Sequence, residues 1–296
     1  MTAASLTVEA PAKINLHLSI VGRRADGYHL LRTLMLKLDL VDRLSLTLRP
    51  PAEGVRLQVR GLDLPADDSN LVHRAATRFL DAAGRKDGLD LVLEKAIPVA
   101  AGLGGGSSDA AAALRALNRL CDRPLSQREL TDLALSLGAD VPFFLFPAAS
   151  AWAEGIGERL RPGPELPGLG FLLVNPGWPL STAWVYKNFK LKMTNRPQAN
   201  ISWAFNESSF TIEDVLCNDL ETVVTANYPE IGEIKALLLS AGASGALMTG
   251  SGPTVFGVFP EGSGMEQARR RLERTGRGKW MVRPANMWVE PLTGLQ

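Results

Sequence analysis

The sequence predicts an α+β protein built as two lobes, and three observations carry that expectation. Strand-like and helix-like segments are mixed without strict β-α-β alternation, which argues against a doubly wound parallel sheet. The stretch Arg161-Pro162-Gly163-Pro164-Glu165-Leu166-Pro167-Gly168 is too rich in Pro and Gly for a regular element and marks a lobe boundary, with one domain expected over 1–160 and a second over 161–296. A chain of 296 residues that is 46% hydrophobic and 21% charged holds enough apolar material for two ordinary cores.

Taken in order, residues 6–9 and 14–20 alternate apolar and polar side chains on either side of Pro11, and 44–48 and 55–59 alternate more strictly; all read as strands with one buried face. Ser69-Asn70 opens a helical run with Leu71, Ala75, Phe79 and Leu80 on one stripe, closed by Gly84. A strand over 89–94 leads into a glycine-rich turn and then an alanine-rich helix over 109–120. Ser126, with Glu129 three residues on, has the form of a capping box that opens a helix ended by Gly138, so Asp140 falls just past it. Beyond the boundary come an apolar strand at 171–174, a polar stretch at 187–210 read as a loop or frayed helix, helices over 230–240 and 264–274, and strands on either side of Gly250-Ser251-Gly252-Pro253. No period of roughly 20 to 50 residues repeats.

Composition removes several function classes. With 32 Lys+Arg against 31 Asp+Glu there is no global field to capture nucleic acid or an anionic membrane, so an anionic ligand needs local groups. The two cysteines, Cys121 and Cys217, lack a CxxC or nearby His pattern and are expected to be buried free thiols. The start has neither a basic segment nor a long apolar one, and no apolar run approaches the roughly 20 residues of a spanning helix, so a cytoplasmic protein is expected. The triplets Asn200-Ile201-Ser202 and Asn206-Glu207-Ser208 are then chance matches to a glycosylation acceptor.

The most informative stretch is Pro98-Val99-Ala100-Ala101-Gly102-Leu103-Gly104-Gly105-Gly106-Ser107-Ser108. Four glycines ahead of a strong helix expose backbone N–H groups where side chains would block an approaching anion. The helix, expected to begin near Ser107, adds its unsatisfied N–H groups and positive dipole end, and the serine hydroxyls can bond phosphate oxygens or a metal-bound water. A phosphate is the natural guest. The Walker lysine spacing is missing, and the pattern from Gly102, G-x-G-x-x-S, fails the dinucleotide fingerprint.

Pro98-x-x-x-Gly102-Leu103-Gly104-x-x-Ser107-Ser108 resembles the second, phosphate-binding motif of the GHMP kinase superfamily. Pro11-Ala12-Lys13-Ile14-Asn15-Leu16 resembles the first motif, and Leu247-Met248-Thr249-Gly250-Ser251-Gly252-Pro253-Thr254-Val255-Phe256 the third. The resemblance implies a two-lobed fold, a nucleotide-binding N-terminal domain, and an active site in the cleft between lobes. Gly22-Arg23-Arg24-Ala25-Asp26-Gly27-Tyr28-His29, Gly138-Ala139-Asp140-Val141-Pro142-Phe143-Phe144-Leu145 and Asn218-Asp219-Leu220-Glu221 are similar to the branch that phosphorylates the 2-hydroxyl of 4-diphosphocytidyl-2-C-methyl-D-erythritol in non-mevalonate isoprenoid synthesis. Ala100 stands where many members carry glycine and would be strained if that position needs positive φ.

The resemblance implies a site in which ATP is held by residues 98–108, with Lys95 against the adenine or its ribose. Lys13 and Asp140 form the catalytic pair: Asp140 accepts or orients the hydroxyl proton from an apolar turn, and Lys13 keeps it ionised and offsets charge on the transferring phosphoryl. Asn15, His29 and Thr182 make polar contacts with the cytidine-diphosphate-linked polyol, and Tyr28 and Tyr186 sandwich the cytosine. Mg²⁺ is implied by the polyphosphate charge, with no protein ligand assigned. A monomer or weak homodimer is expected. Two alternatives stay open: another GHMP kinase acting on mevalonate, homoserine or a sugar, and a nucleotide-binding regulator without catalysis.

Overall fold

The computed structural model describes residues 4–166, 168–190, 212–276 and 278–290, with backbone alone at 52 and 213; most of the polar stretch 187–210, with its two Asn-x-Ser triplets, lies outside them. Two strands dominate the N-terminal part, β1 (Ser5–Arg23) and β2 (His29–Arg49), followed by β3 (Val55–Arg60), α1 (Leu71–Ala82) and β4 (Gly88–Glu94). Next come α2 (Gly105–Leu120), α3 (Gln127–Leu137), the short α4 (Val141–Leu145), and the paired β5 (Ser150–Gly155) and β6 (Arg159–Pro162). The remainder holds β7 (Leu169–Asn175), α5 (Thr182–Asn188), α6 (Ile212–Val215), β8 (Cys217–Asn218), α7 (Glu221–Asn227), α8 (Pro229–Ser240), β9 (Gly245–Met248), β10 (Val255–Pro260), α9 (Met265–Gly276) and β11 (Met281–Asn286).

One sheet has the order β3-β4-β2-β1-β8, with β5 also pairing to β2 and β6 to β5; the other is an antiparallel sheet in the order β11-β7-β10-β9. The mixed, non-alternating architecture is the expected α+β class. The chain divides into two compact units that interleave along the sequence. One comprises Met1–Lys13, Asp39–Val99 and Gly104–Ala148, and the other Ile14–Leu38, Ala100–Leu103 and Ala149–Gln296. Each of β1 and β2 therefore contributes residues to both.

In the first unit, α1 buries Val72, Ala75, Ala76, Phe79 and Leu80, the stripe expected from its spacing, and packs on α2. Asn70 caps α1 by accepting from the Val72 N–H at 3.0 Å, and the Ser126–Glu129 capping box opens α3. In the second unit, α8 packs Ile231, Ile234 and Leu238 against β9 and β10, while Ala268 and Leu272 of α9 join the same core with Leu172, Val174 and Phe259. Both cysteines are buried and free.

Two strands depart from expectation. β1 runs unbroken through Pro11; among the described residues β8 pairs with it at His17 and Leu18, beyond that proline. β2 extends 15 residues ahead of the alternating segment at 44–48, because Leu34, Met35 and Leu36 are all buried and two covered faces erase the alternation.

Candidate active site

After β4 the chain enters the glycine loop. Ala100, Gly102 and Gly104 take φ of 51°, 76° and 70°, so every second residue is left-handed and the turn is tight. A Cβ on Gly102 would sit 2.3 Å from the Thr249 carbonyl oxygen, and one on Gly104 2.9 Å from both Lys13 Cγ and Phe144 Cζ. Only glycine fits either position. Ala100 occupies the left-handed region despite its Cβ, at a cost of about 1 kcal/mol, so the strain its sequence position raised is present. α2 starts at Gly105, two residues earlier than expected, and its N-cap Gly104 supplies no side-chain cap. The chain thus offers no side-chain acceptor from the cap position to the first-turn N–H groups, and they, with the positive end of a 16-residue helix, suit an anion.

Lys13, in β1, is buried and its Nζ lies 3.7 Å from Asp140 Oδ2. Asp140 holds the N-cap position of α4 yet makes no capping bond, so helix capping does not explain it. Its side chain is 39% exposed, more open to solvent than an apolar turn suggests, and the Lys13 ammonium supplies the expected countercharge. Because Lys13 Cγ packs under Gly104, the loop backbone and the lysine stem fix each other's position.

Lys95 lies elsewhere than against an open surface. Its ammonium is buried between two carboxylates, bound to Asp42 and, at 2.6 Å, to Asp109 Oδ2. A Cβ on Gly105 would come within 3.2 Å of Lys95 Nζ, which puts the ammonium directly behind the first residue of α2. Asp42 Oδ1 also accepts the N–H groups of Ala96 at 2.6 Å and Ile97 at 2.9 Å. Asp109 Oδ1 is buried with no hydrogen-bond partner, as is Ser108 Oγ. Burial above all pushes the Asp109 carboxyl up to about 7; Lys95 pulls it down and Asp42 pushes it up.

The second unit holds the third motif. Thr249 is fully buried between β9 and β10, and its hydroxyl accepts the Asn15 N–H at 2.9 Å and lies 3.4 Å from the Gly102 carbonyl oxygen, tying all three glycine and asparagine motifs to one oxygen. Asn15 is itself buried, its amide donating to Thr33 Oγ1 at 2.8 Å, and Thr33 in turn donates to the His17 carbonyl. Thr182, first residue of α5, bonds Ser251 Oγ at 2.8 Å. The Asn218-Asp219-Leu220-Glu221 segment acts as a bracket. Asn218 donates to the Met248 and Gly250 carbonyls, Glu221 accepts the Met248 N–H, and Asp219 accepts the Ile20 N–H. At the start of β2, the His29 ring lies 5.3 Å from that of Tyr186, tilted by 34°, and Tyr28 is 62% exposed on the preceding turn, so Tyr28 is no core residue. Burial, then the nearby Arg23, holds the His29 imidazole below its ordinary range and hence neutral at pH 7, with one ring nitrogen to donate and one to accept.

Sequence reasoning missed Thr249, Ser251, Asp42 and Asp109 as groups of the site. Asp109 adjoins Ser108 in the loop and Thr249 and Ser251 lie within the third motif, but nothing local distinguishes Asp42, which is recruited by the pairing of β2 with β4. Among the described residues no three His, Cys, Asp or Glu side chains group to hold a metal ion.

Residues 70–147 match the family described as GHMP kinases N terminal domain, and 205–278 that described as GHMP kinases C terminal. The chain belongs to the GHMP kinases. Within that family it is 48% identical over 280 residues to the 4-diphosphocytidyl-2-C-methyl-D-erythritol kinase of Syntrophotalea carbinolica, covering 94% of this chain and 98% of that protein. It is 45% identical to the enzyme of the same name from Geobacter metallireducens, covering 94% and 97%. A crystal structure of 4-(cytidine 5'-diphospho)-2C-methyl-D-erythritol kinase superposes with a TM-score of 0.81 at 36% identity, over 96% of this chain and all of that one. A homoserine kinase from Cytophaga hutchinsonii, at 20% identity and a TM-score of 0.77 over 97% and 96% of the two chains, shares the fold.

Proposed function

We propose that the chain transfers the γ-phosphoryl group of ATP to the 2-hydroxyl of 4-diphosphocytidyl-2-C-methyl-D-erythritol, the reaction that its curated relatives' name describes and a step of non-mevalonate isoprenoid synthesis. The observation that carries the reading is the Lys13–Asp140 pair at 3.7 Å with the lysine stem seated beneath Gly104 at the mouth of α2. Residues 98–108 receive the polyphosphate, the uncapped first turn of α2 meeting its negative charge. Asp140 takes the hydroxyl proton as the alcohol oxygen forms its bond to the γ-phosphorus and the bond to the bridging oxygen of ADP breaks. Lys13 offsets the negative charge on the transferring group. Mg²⁺ would accompany ATP and offset polyphosphate charge.

Tyr28 and Tyr186 stack on cytosine, with the neutral His29 supplying edge hydrogen bonds that a π-face cannot. Thr182, through the same hydroxyl that meets Ser251, contacts the substrate. Asn15, whose amide also donates to Thr33, contacts the substrate. The test is ADP release across candidate alcohols, with Asp140→Asn alongside the wild type. Turnover of the cytidine compound that falls by about 100-fold or more in Asp140→Asn, with ATP still bound, supports the reading. Turnover of mevalonate or homoserine in its place, or an unimpaired Asp140→Asn, overturns it.

A further inference from the structure

We infer that Asp109 is a positioning residue of the phosphate loop that has to be neutral for the nucleotide to bind, so that ATP binding takes up a proton. This rests on the reading of residues 98–108 as the polyphosphate site. Lys95, Asp42 and Asp109 are all nearly without solvent, with side-chain exposures of 2%, 0% and 3%. One ammonium cannot neutralise two carboxylates: with both ionised the cluster carries a net negative charge, and with one protonated it carries none.

Geometry selects the carboxylate that gives up its charge. Asp42 accepts two backbone N–H groups and the Lys95 ammonium, the environment that best sustains an anion without water. Asp109 bonds Lys95 through Oδ2 and otherwise meets Asp42, a second carboxylate that disfavours its charge, while its Oδ1 is orphaned. A buried oxygen without a partner costs less when neutral than when anionic. The rise of the Asp109 carboxyl to about 7 agrees with that choice.

Position then makes the choice matter. Lys95 Nζ lies against Gly105, and Asp109 is four residues further along the same helix, so the charge of the cluster is felt at the first turn of α2, where the polyphosphate docks. A neutral cluster leaves the helix end positive. An ionised Asp109 sets an uncompensated negative charge behind it, and the incoming polyphosphate shifts the equilibrium toward the proton-bound form. The nearest other charges are the Lys13 ammonium, whose stem packs beneath Gly104, and Asp140 at the N-cap of α4, which oppose each other at 3.7 Å. On the helices packed against α2, α4 carries no ionisable side chain, the charged residues of α3 (Arg128, Glu129, Asp132) are exposed, Arg78 of α1 reaches Ser136, Asp81 is exposed, and His73, beside the half-buried Arg74, interacts with Asp67. Along α2 itself, Arg115 and Arg119 follow one turn or more beyond Asp109.

The experiment is calorimetric titration of the full-length protein with MgATP at pH 8 in two buffers of different ionisation enthalpy, together with Kd from pH 6 to 8.5, for wild type and Asp109→Asn. Asparagine keeps the shape and is permanently neutral. We expect the wild type to take up close to one proton and its Kd to weaken about tenfold per pH unit above 7. Asp109→Asn should take up none and hold its low-pH affinity throughout, a flat profile that a merely structural role would not produce. Wild-type binding without proton uptake, a measurement independent of whether the variant folds, overturns the proposal, as does equal uptake by the variant. If the wild type binds no MgATP at all, it is the reading of residues 98–108 that fails.

Discussion

Gly104→Ala separates a loop that merely contains glycines from one that needs them. The residue sits at φ 70°, where an alanine costs about 1–2 kcal/mol. Its new Cβ would lie 2.9 Å from both Lys13 Cγ and Phe144 Cζ, closer than side-chain carbons approach, and such overpacking adds roughly 1–3 kcal/mol. Reduced freedom of the unfolded chain returns about 0.5 kcal/mol, leaving a net loss near 2–4 kcal/mol. At about 2 °C per kcal/mol for a chain of this size, thermal unfolding should drop by roughly 4–8 °C. Relief of the overlap pushes the Lys13 stem, and its ammonium moves relative to Asp140, so kcat should fall by about 100-fold. Gly106→Ala is the control. Two residues on, inside α2, its Cβ meets nothing nearer than Leu71 Cδ1 at 3.5 Å, and alanine in a helix is favoured by up to about 1 kcal/mol, so this variant should melt slightly higher. Calorimetric melting and steady-state kinetics read both. If Gly104→Ala melts with the wild type and keeps kcat, the close packing of Lys13 under the loop is not what holds the pair.

Thr249→Val keeps the side-chain shape but strands the buried Asn15 N–H, and should cost about 1–3 kcal/mol in denaturant unfolding; a smaller loss than about 0.5 kcal/mol would remove Thr249 as the tie between the motifs. Tyr28→Ala, at an exposed position, should leave stability unchanged and raise KM for the cytidine substrate about tenfold or more, the worth of one stacked base; an unchanged KM would end its stacking role. The Asp109 carboxyl also predicts a stability profile. Its folded pKa is raised from 3.8 to about 7, so the folded state binds the extra proton. Its favourable state is complete below the unfolded value, and stability is lost as pH rises toward and through 7. The ceiling on that loss is on the order of 4 kcal/mol. Unfolding free energies at pH 5 and 7.5 should fall for the wild type relative to Asp109→Asn, and parallel profiles would show that Asp109 stays ionised across the range.

The helices and the motif order were legible because their signals are local. Asn70, the Ser126–Glu129 box and the α1 stripe each state an end or a face within a few residues, and the structure puts all three to that use. The sheet was less legible for a physical reason. The first half of β2 is buried on both faces around Leu34, Met35 and Leu36, so no period of two survives, and β6 ends in Arg161-Pro162, whose Pro reads as a break even though the segment pairs with β5 at an edge. The interleaving of the two units follows from the same strands. β1 passes from one unit to the other between Lys13 and Ile14, and β2 back again between Leu38 and Asp39, an exchange that no composition shift marks.

At the candidate site the residues that were legible divide by what their polar atoms touch. Motif residues such as Asn15 give hydrogen bonds to the surrounding fold, the Asn15 amide to Thr33 of β2 and its N–H to Thr249 of the third motif. Lys95 spends its charge on Asp42 and Asp109. A residue type inside a motif does not say whether it touches ligand or holds the residue that does, because both duties call for the same donors. Burial weighs on the choice: the Lys95 ammonium gives two of its three donors to Asp42 and Asp109, and its charge acts through the helix start it lies behind. Lys95→Met should accordingly disturb the loop more than any single adenine contact would. It leaves Asp42 and Asp109 buried without a countercharge, and should cost stability and nucleotide affinity together, by about 3–5 kcal/mol in unfolding free energy. Loss of nucleotide affinity alone, with unfolding unchanged, would return Lys95 to direct contact with the ligand.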